Sequence, residues 1–142
     1  MVKADPVLDM LASVNLFAEL NRKELAMVRD MMKPQNFQAG QNVVTEGDSS
    51  ARFYLITKGR ASIVVGGKRL RSCAPGDHFG EIAVLDGGPR SATVVADSEL
   101  ETLTIAPFAF RPLLRANATI TYKVLLGMCA RLRETDKRLY TG

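Results

Sequence analysis

Residues 60–74 read Arg60-Ala61-Ser62-Ile63-Val64-Val65-Gly66-Gly67-Lys68-Arg69-Leu70-Arg71-Ser72-Cys73-Ala74. Both central positions of a type I′ turn need positive φ, which glycine supplies without steric cost, so the Gly66-Gly67 pair predicts a two-residue β-hairpin. Outward from it the same grammar recurs between Phe37 and Ile105. Runs rich in Val, Ile, Thr, Phe and Tyr are separated by glycine-bearing turns at Gly40, Gly47, Gly59, Gly76 and Gly87-Gly88. The predicted strands are Asn42–Thr45, Arg52–Lys58, Arg60–Val65, Arg69–Ala74, Ser91–Ala96 and Glu99–Ile105. The intervals are too short for crossover helices, which argues against parallel pairing and leaves a small antiparallel barrel or roll.

Helical patterns flank this region. Asn21-Arg22-Lys23-Glu24 is a capping signature: Asn21 can cap, and Glu24 can reach back to the cap backbone, with Leu20 and Leu25 as a hydrophobic staple. Leu25, Val28 and Met32 then recur at helical spacing until Pro34 stops the pattern. A weaker helix covers Val7 to Val14. After Pro107 a short helix is predicted around Phe108–Leu114 and a long one from near Asn117 toward Leu139. On the long helix Leu125, Met128, Leu132, Thr135 and Leu139 alternate at spacings of three and four, as in a helix that packs along another. The stripe is short enough to serve either a homodimer seam or packing across the roll. The expectation is one domain over 1–142: N-terminal helices at 1–36, the roll at 37–106 and C-terminal helices at 107–140.

Composition sets the outer limits. A chain of 142 residues, 46% apolar and 24% charged, can bury a real core without staples. No apolar run approaches the roughly 18–20 residues that cross a bilayer, and the opening MVKADPVLDM lacks a signal-peptide core. No membrane span and a cytoplasmic address are therefore expected. Cys73 and Cys129 stand apart from each other and from any Cys/His cluster, so neither a disulfide framework nor a metal site is expected. The net charge of +4 favours anionic ligands, but the basic residues are spread along the chain, which speaks against direct nucleic-acid binding.

One stretch, Phe79 to Val94, differs from the rest. Gly80 opens a short helical turn whose first N–H groups lack intrahelical partners, an arrangement suited to an anion. Arg90 re-enters after a tight turn; its guanidinium can grip a phosphate in fork geometry, and Ser91 adds a hydroxyl and a backbone N–H. Glu81 would repel a bare phosphate but accepts hydrogen bonds from sugar hydroxyls, so Glu81 with Arg90 describes a sugar phosphate better than inorganic phosphate.

The runs FGEIAVL (79–85) and PRSATV (89–94) resemble the phosphate-binding cassette of cyclic-nucleotide-binding domains. The resemblance extends over nearly the whole chain, through the Gly47-Asp48 turn, FYLITKGRASI (53–63), APGDHFGE (74–81) and the closing helices. It implies an α+β fold: an antiparallel β-roll, or jelly-roll-like double-stranded β-helix, flanked by N-terminal helices and the family's C-terminal B and C helices. It also implies that Glu81 binds the ribose 2′-hydroxyl and Arg90 the cyclic phosphate. Ile82, Ala83, Ser91 and Ala92 would complete the cradle, with Gly80 allowing close backbone approach. The segment MCARLRETDKRL (128–139) resembles the last helix of catabolite-activator-like proteins, which places Thr135 at the base, with Arg131 as a second base contact. Asp136 stands where those proteins carry a serine. The family's cue for cGMP, a threonine after the cassette arginine, is Ser91 here, so cAMP is the implied ligand ahead of cGMP.

Plainer readings compete. Arg90 and Glu81 could be a simple loop ion pair, and Arg131 and Thr135 ordinary exposed helix positions. His78, the only histidine, reads as structural. A triad of Ser91, His78 and Asp77 lacks a nucleophile elbow, so no enzyme activity and no cofactor are expected. Three functions follow: a cyclic-nucleotide receptor whose last helix closes over the ligand, a truncated regulator of the catabolite-activator type, or a dimeric scaffold without ligand. The effector is not named by the sequence.

Overall fold

The computed structural model describes residues 5–141, with side chains as far as Leu139. Two units make up the chain: a β-roll unit over 32–111, and a helical unit formed by the segment ending at Met31 and the segment starting at Pro112.

In the roll unit the described residues form eight strands: β1 (Lys33–Phe37), β2 (Asn42–Val44), β3 (Phe53–Lys58), β4 (Ala61–Val65), β5 (Lys68–Cys73), β6 (His78–Phe79), β7 (Thr93–Ala96) and β8 (Leu100–Ile105). They build two four-stranded sheets, ordered β1-β8-β3-β6 and β2-β7-β4-β5. Every pairing is antiparallel. The α+β roll anticipated from the sequence is the fold observed. Gly66 and Gly67 take φ of 57° and 79°, and the flanking Val65 and Lys68 face each other across the turn, as a two-residue hairpin requires.

A core of Phe37, Val44, Tyr54, Ile56, Ala61, Cys73, Val94, Ala96 and Leu100 lies within this unit. Phe53 to Ile56 are buried in succession along β3, the signature of a strand covered on both faces. Two strands escape the sequence pattern. β1 occupies residues assigned from the sequence to the helical segment, and only Phe37 of its five side chains is buried. It is held by its partner instead: Thr102 and Thr104 of β8, both buried, donate their hydroxyls to the carbonyls of Gln35 (2.7 Å) and Lys33 (3.3 Å). β6, only two residues long, pairs with Tyr54 and Leu55 of β3.

The helical unit holds α1 (Pro6–Ala12), a 3-10 turn at Asn15–Phe17, α2 (Arg22–Asp30) and α5 (Ala118–Thr141). α1 starts with Asp5 accepting from the Val7 N–H and proline at the first helical position. The capping box of α2 is complete: Asn21 Oδ1 accepts from the Glu24 N–H, and Glu24 Oε1 from the Asn21 N–H, both at 2.9 Å. Leu20 and Leu25 are buried beside it. Asn117 Oδ1 accepts from the Ile120 N–H at the start of α5. α5 packs on the 3-10 turn, with Gly127 against the Asn15 carbonyl. Two further helices, α3 (Ala83–Asp86) and α4 (Pro107–Ala116), belong to the cassette and to the chain leaving β8.

Candidate functional site

Residues 79–94 leave β6, turn through α3 and re-enter the sheet as β7. Gly80 has φ of 88°, and its carbonyl accepts from the Val84 N–H (3.1 Å), so the N–H groups of Ile82 and Ala83 precede that first helical bond. Gly87 ends α3 in the left-handed region. The tight turn then delivers Arg90, whose backbone is clamped by the Gly47-Asp48 turn: Arg90 N–H donates to Asp48 O, and Gly47 N–H to Arg90 O, each at 2.8 Å.

The Arg90 side chain is folded inward. The residue is 7% exposed, and its guanidinium lies over the Tyr54 ring at 5.9 Å and donates through Nη2 to the Arg52 carbonyl. Among the described residues it forms no ion pair, and its buried Nε has no hydrogen-bond partner. Burial pushes the Arg90 pKa down, opposed in part by Tyr54 and Asp48. The Tyr54 phenol is pushed up, chiefly by its own burial. A Cβ built on Gly80 would come within 2.6 Å of Arg90 Nη1 and would collide with the Arg52 carbonyl. Only glycine lets the backbone run this close to the guanidinium.

Glu81, the next residue, is paired with His78: Nε2 lies 2.7 Å from Glu81 Oε2. The structure thus places Gly80 against Arg90, and the Glu81 carboxylate beside His78 rather than in an ion pair with the arginine. Of the other cassette candidates, Ala83 is buried, Ala92 half-buried, and Ile82 and Ser91 exposed. Arg131 and Thr135 lie one turn apart on α5, in the helical unit, where the Thr135 hydroxyl donates to the Arg131 carbonyl (3.1 Å). Three members of the site were not found from sequence: His78, Tyr54 beneath the guanidinium and the Arg52 carbonyl. Tyr54 and the Arg52 carbonyl are far from Arg90 along the chain and reach it only through the roll, whereas His78 stands three residues before Glu81 with no helical periodicity to mark the contact.

No group of three or more His, Cys, Asp or Glu side chains able to hold a metal occurs among the described residues. None of their helices is long and apolar enough to cross a membrane.

An antiparallel roll that buries an arginine, with no carboxylate partner among the described residues, behind a glycine-led helical turn has the layout of an anion-binding domain rather than of a bare structural barrel. Residues 34–117 match the model of the cyclic nucleotide-binding domain, and the chain belongs to that family. It is 34% identical over 106 residues to a cAMP-dependent protein kinase regulatory subunit of Hypocrea atroviridis; the match covers 75% of this chain and 23% of that protein. The chain therefore spans about a quarter of the length of such relatives. Among solved structures, the N-terminal domain of a transcriptional regulator from Streptomyces coelicolor A3(2) superposes with a TM-score of 0.83 at 28% identity, covering 91% of this chain and 96% of that one. The catabolite activator protein of Thermus thermophilus gives a TM-score of 0.72 at 27% identity, over 89% of this chain and 62% of that one.

Proposed function

We propose that this domain is a cAMP-preferring receptor in which Arg90 holds the cyclic phosphate and Glu81 the ribose 2′-hydroxyl. The observation that carries the reading is the buried Arg90 guanidinium with no carboxylate partner among the described residues. Leaving a cation so desolvated costs roughly several kcal/mol, and an anionic ligand offsets that cost. The N–H groups of Ile82 and Ala83, with Ser91 and Ala92 beyond the arginine, complete the phosphate cradle, and Gly80 gives the ligand its close approach. Arg131 and Thr135 supply contacts to the base. The similarity to the kinase regulatory subunit of Hypocrea atroviridis, named for cAMP, supports the choice of ligand.

Occupancy is read out by α5. A ligand bound more tightly when the last helix closes over it shifts the population toward that state by its differential affinity, and by nothing else. Leu125, Leu132 and Leu139 are exposed along α5, an apolar stripe of the kind that a second copy of the helix covers. Sedimentation equilibrium of wild type and Leu132→Asp tests this: a monomeric wild type would remove the seam. A second reading, a DNA-binding regulator of which this is the sensor part, draws on the likeness to the two regulator structures. It predicts that the gene continues beyond Gly142 into a helix-turn-helix.

The deciding experiment is isothermal titration calorimetry with cAMP and cGMP in parallel, on protein stripped of carried-over nucleotide. Micromolar or tighter binding of cAMP, weaker binding of cGMP, and a loss of about 2–4 kcal/mol in Arg90→Ala are expected. An Arg90→Ala protein that binds like wild type would remove the site assignment.

A further inference from the structure

His78 and Glu81 face each other across the turn at Gly80. The imidazole Nε2 lies 2.7 Å from Glu81 Oε2, with the two side chains 28% and 13% exposed. His78 is itself fixed from three directions. Its backbone sits in β6 opposite Leu55 of β3. Its ring stacks on Phe53, with centroids 5.9 Å apart and planes 25° from parallel. The turn before it is closed by Asp77, whose carboxylate accepts from the Ala74 N–H (2.8 Å) and whose carbonyl accepts from the Ile56 N–H (2.9 Å).

We propose that His78 is a positioning residue for ligand recognition: it holds the Glu81 carboxylate in the orientation that accepts from a ribose 2′-hydroxyl, and so sharpens the choice between ribo- and deoxyribonucleotides. The inference rests on the reading of Glu81 as the ribose ligand. A glutamate side chain has several rotatable bonds, and a ligand that must order it gives up affinity to do so. An imidazole already lying 2.7 Å from one oxygen restricts the side chain and removes that cost beforehand. A carboxylate offers about four lone-pair sites on two oxygens, so the close contact of one oxygen with the imidazole does not exhaust what it can offer a sugar hydroxyl. The histidine is suited to the task because its ring is pinned by the sheet and by Phe53, whereas a flexible cation would itself need ordering.

The test compares cAMP with 2′-deoxy-cAMP by calorimetry on wild type, His78→Phe and His78→Gln. Phenylalanine keeps a ring to stack on Phe53 but has no donor. Glutamine places a side-chain nitrogen the same number of bonds from Cβ as Nε2. Wild type should bind cAMP about tenfold or more tightly than the deoxy analogue, as a hydrogen bond to a charged group implies. His78→Phe should narrow that gap by about three- to tenfold, the scale of one immobilised side chain, by weakening cAMP alone. His78→Gln should keep most of the gap. An unchanged gap in His78→Phe overturns the proposal, and so does equal weakening of both ligands, which marks a merely structural histidine. A wild type that does not distinguish the two ligands overturns the reading of Glu81 itself, a failure visible before any variant is made.

Discussion

Lys123 Nζ donates to Glu24 Oε1 at 2.7 Å, so the carboxylate that closes the capping box of α2 is also the anchor of α5. The Lys123 hydrogen bond, then the backbone N–H of Asn21, hold the Glu24 carboxyl below its usual pKa. A group whose folded pKa is depressed adds stability above its unfolded pKa of about 4.3, and that contribution is lost as pH falls through the folded value. Glu24→Gln keeps the capping geometry and removes the charge. It should destabilise the protein by about 1–2 kcal/mol at neutral pH and flatten the acid limb of the stability curve, read by urea unfolding at pH 7 and pH 4. Equal slopes in the two proteins would show that the pair contributes nothing to folding.

Gly127 sets two effects against each other. Replacing a mid-helix glycine by alanine gains about 1 kcal/mol of helix propensity. A Cβ here would overlap the Asn15 backbone carbonyl, which is not a flexible group that can turn aside. Overpacking of that kind costs about 1–3 kcal/mol, so Gly127→Ala should lower the melting temperature. A raised melting temperature would show that α5 can move away from the 3-10 turn at little cost.

For Arg90, function and stability are expected to part company. Burial without a carboxylate opposes its charge, so Arg90→Met, of similar length and apolar, should leave the ligand-free melting temperature equal or higher. The same substitution should abolish the rise in melting temperature that saturating cAMP gives wild type. Differential scanning calorimetry with and without cAMP measures both, and a strongly destabilised ligand-free variant would assign Arg90 a structural role.

Thr135→Ala should change the ratio of cAMP to cGMP affinity. Its hydroxyl already donates within the helix to the Arg131 carbonyl, but its oxygen retains acceptor capacity for a base. Parallel titrations with both nucleotides give the ratio, and an unaltered ratio removes Thr135 from recognition.

What could be read from the sequence was what is local. The Gly66-Gly67 turn and the Asn21/Glu24 box depend on residues within a few positions of one another, and both formed as expected. β1 was not legible, because Lys33-Pro34-Gln35-Asn36-Phe37 has one buried side chain and owes its strand geometry to hydroxyls and backbone on β8. The cassette stood out through its glycines, its arginine and its resemblance to a family. The surroundings of that arginine did not: the Tyr54 ring and Arg52 carbonyl reach it only because β3 runs beneath the turn. His78 and Glu81 sit at a spacing that on a helix would suggest contact, but here a glycine with positive φ intervenes and no helical periodicity announces it.

The division of the helical unit into two stretches, one ending at Met31 and one beginning at Pro112, also dictates an order of events during synthesis. The ribosome releases α1, the 3-10 turn and α2 before the roll, and the helix that carries Lys123 and Gly127 after it. Until then Glu24 has no lysine to meet and the Asn15 carbonyl no α5 to pack against it. The local contacts of the roll can form while the opening helices still wait, so the surface of the 3-10 turn that α5 covers stays exposed until synthesis has passed the roll.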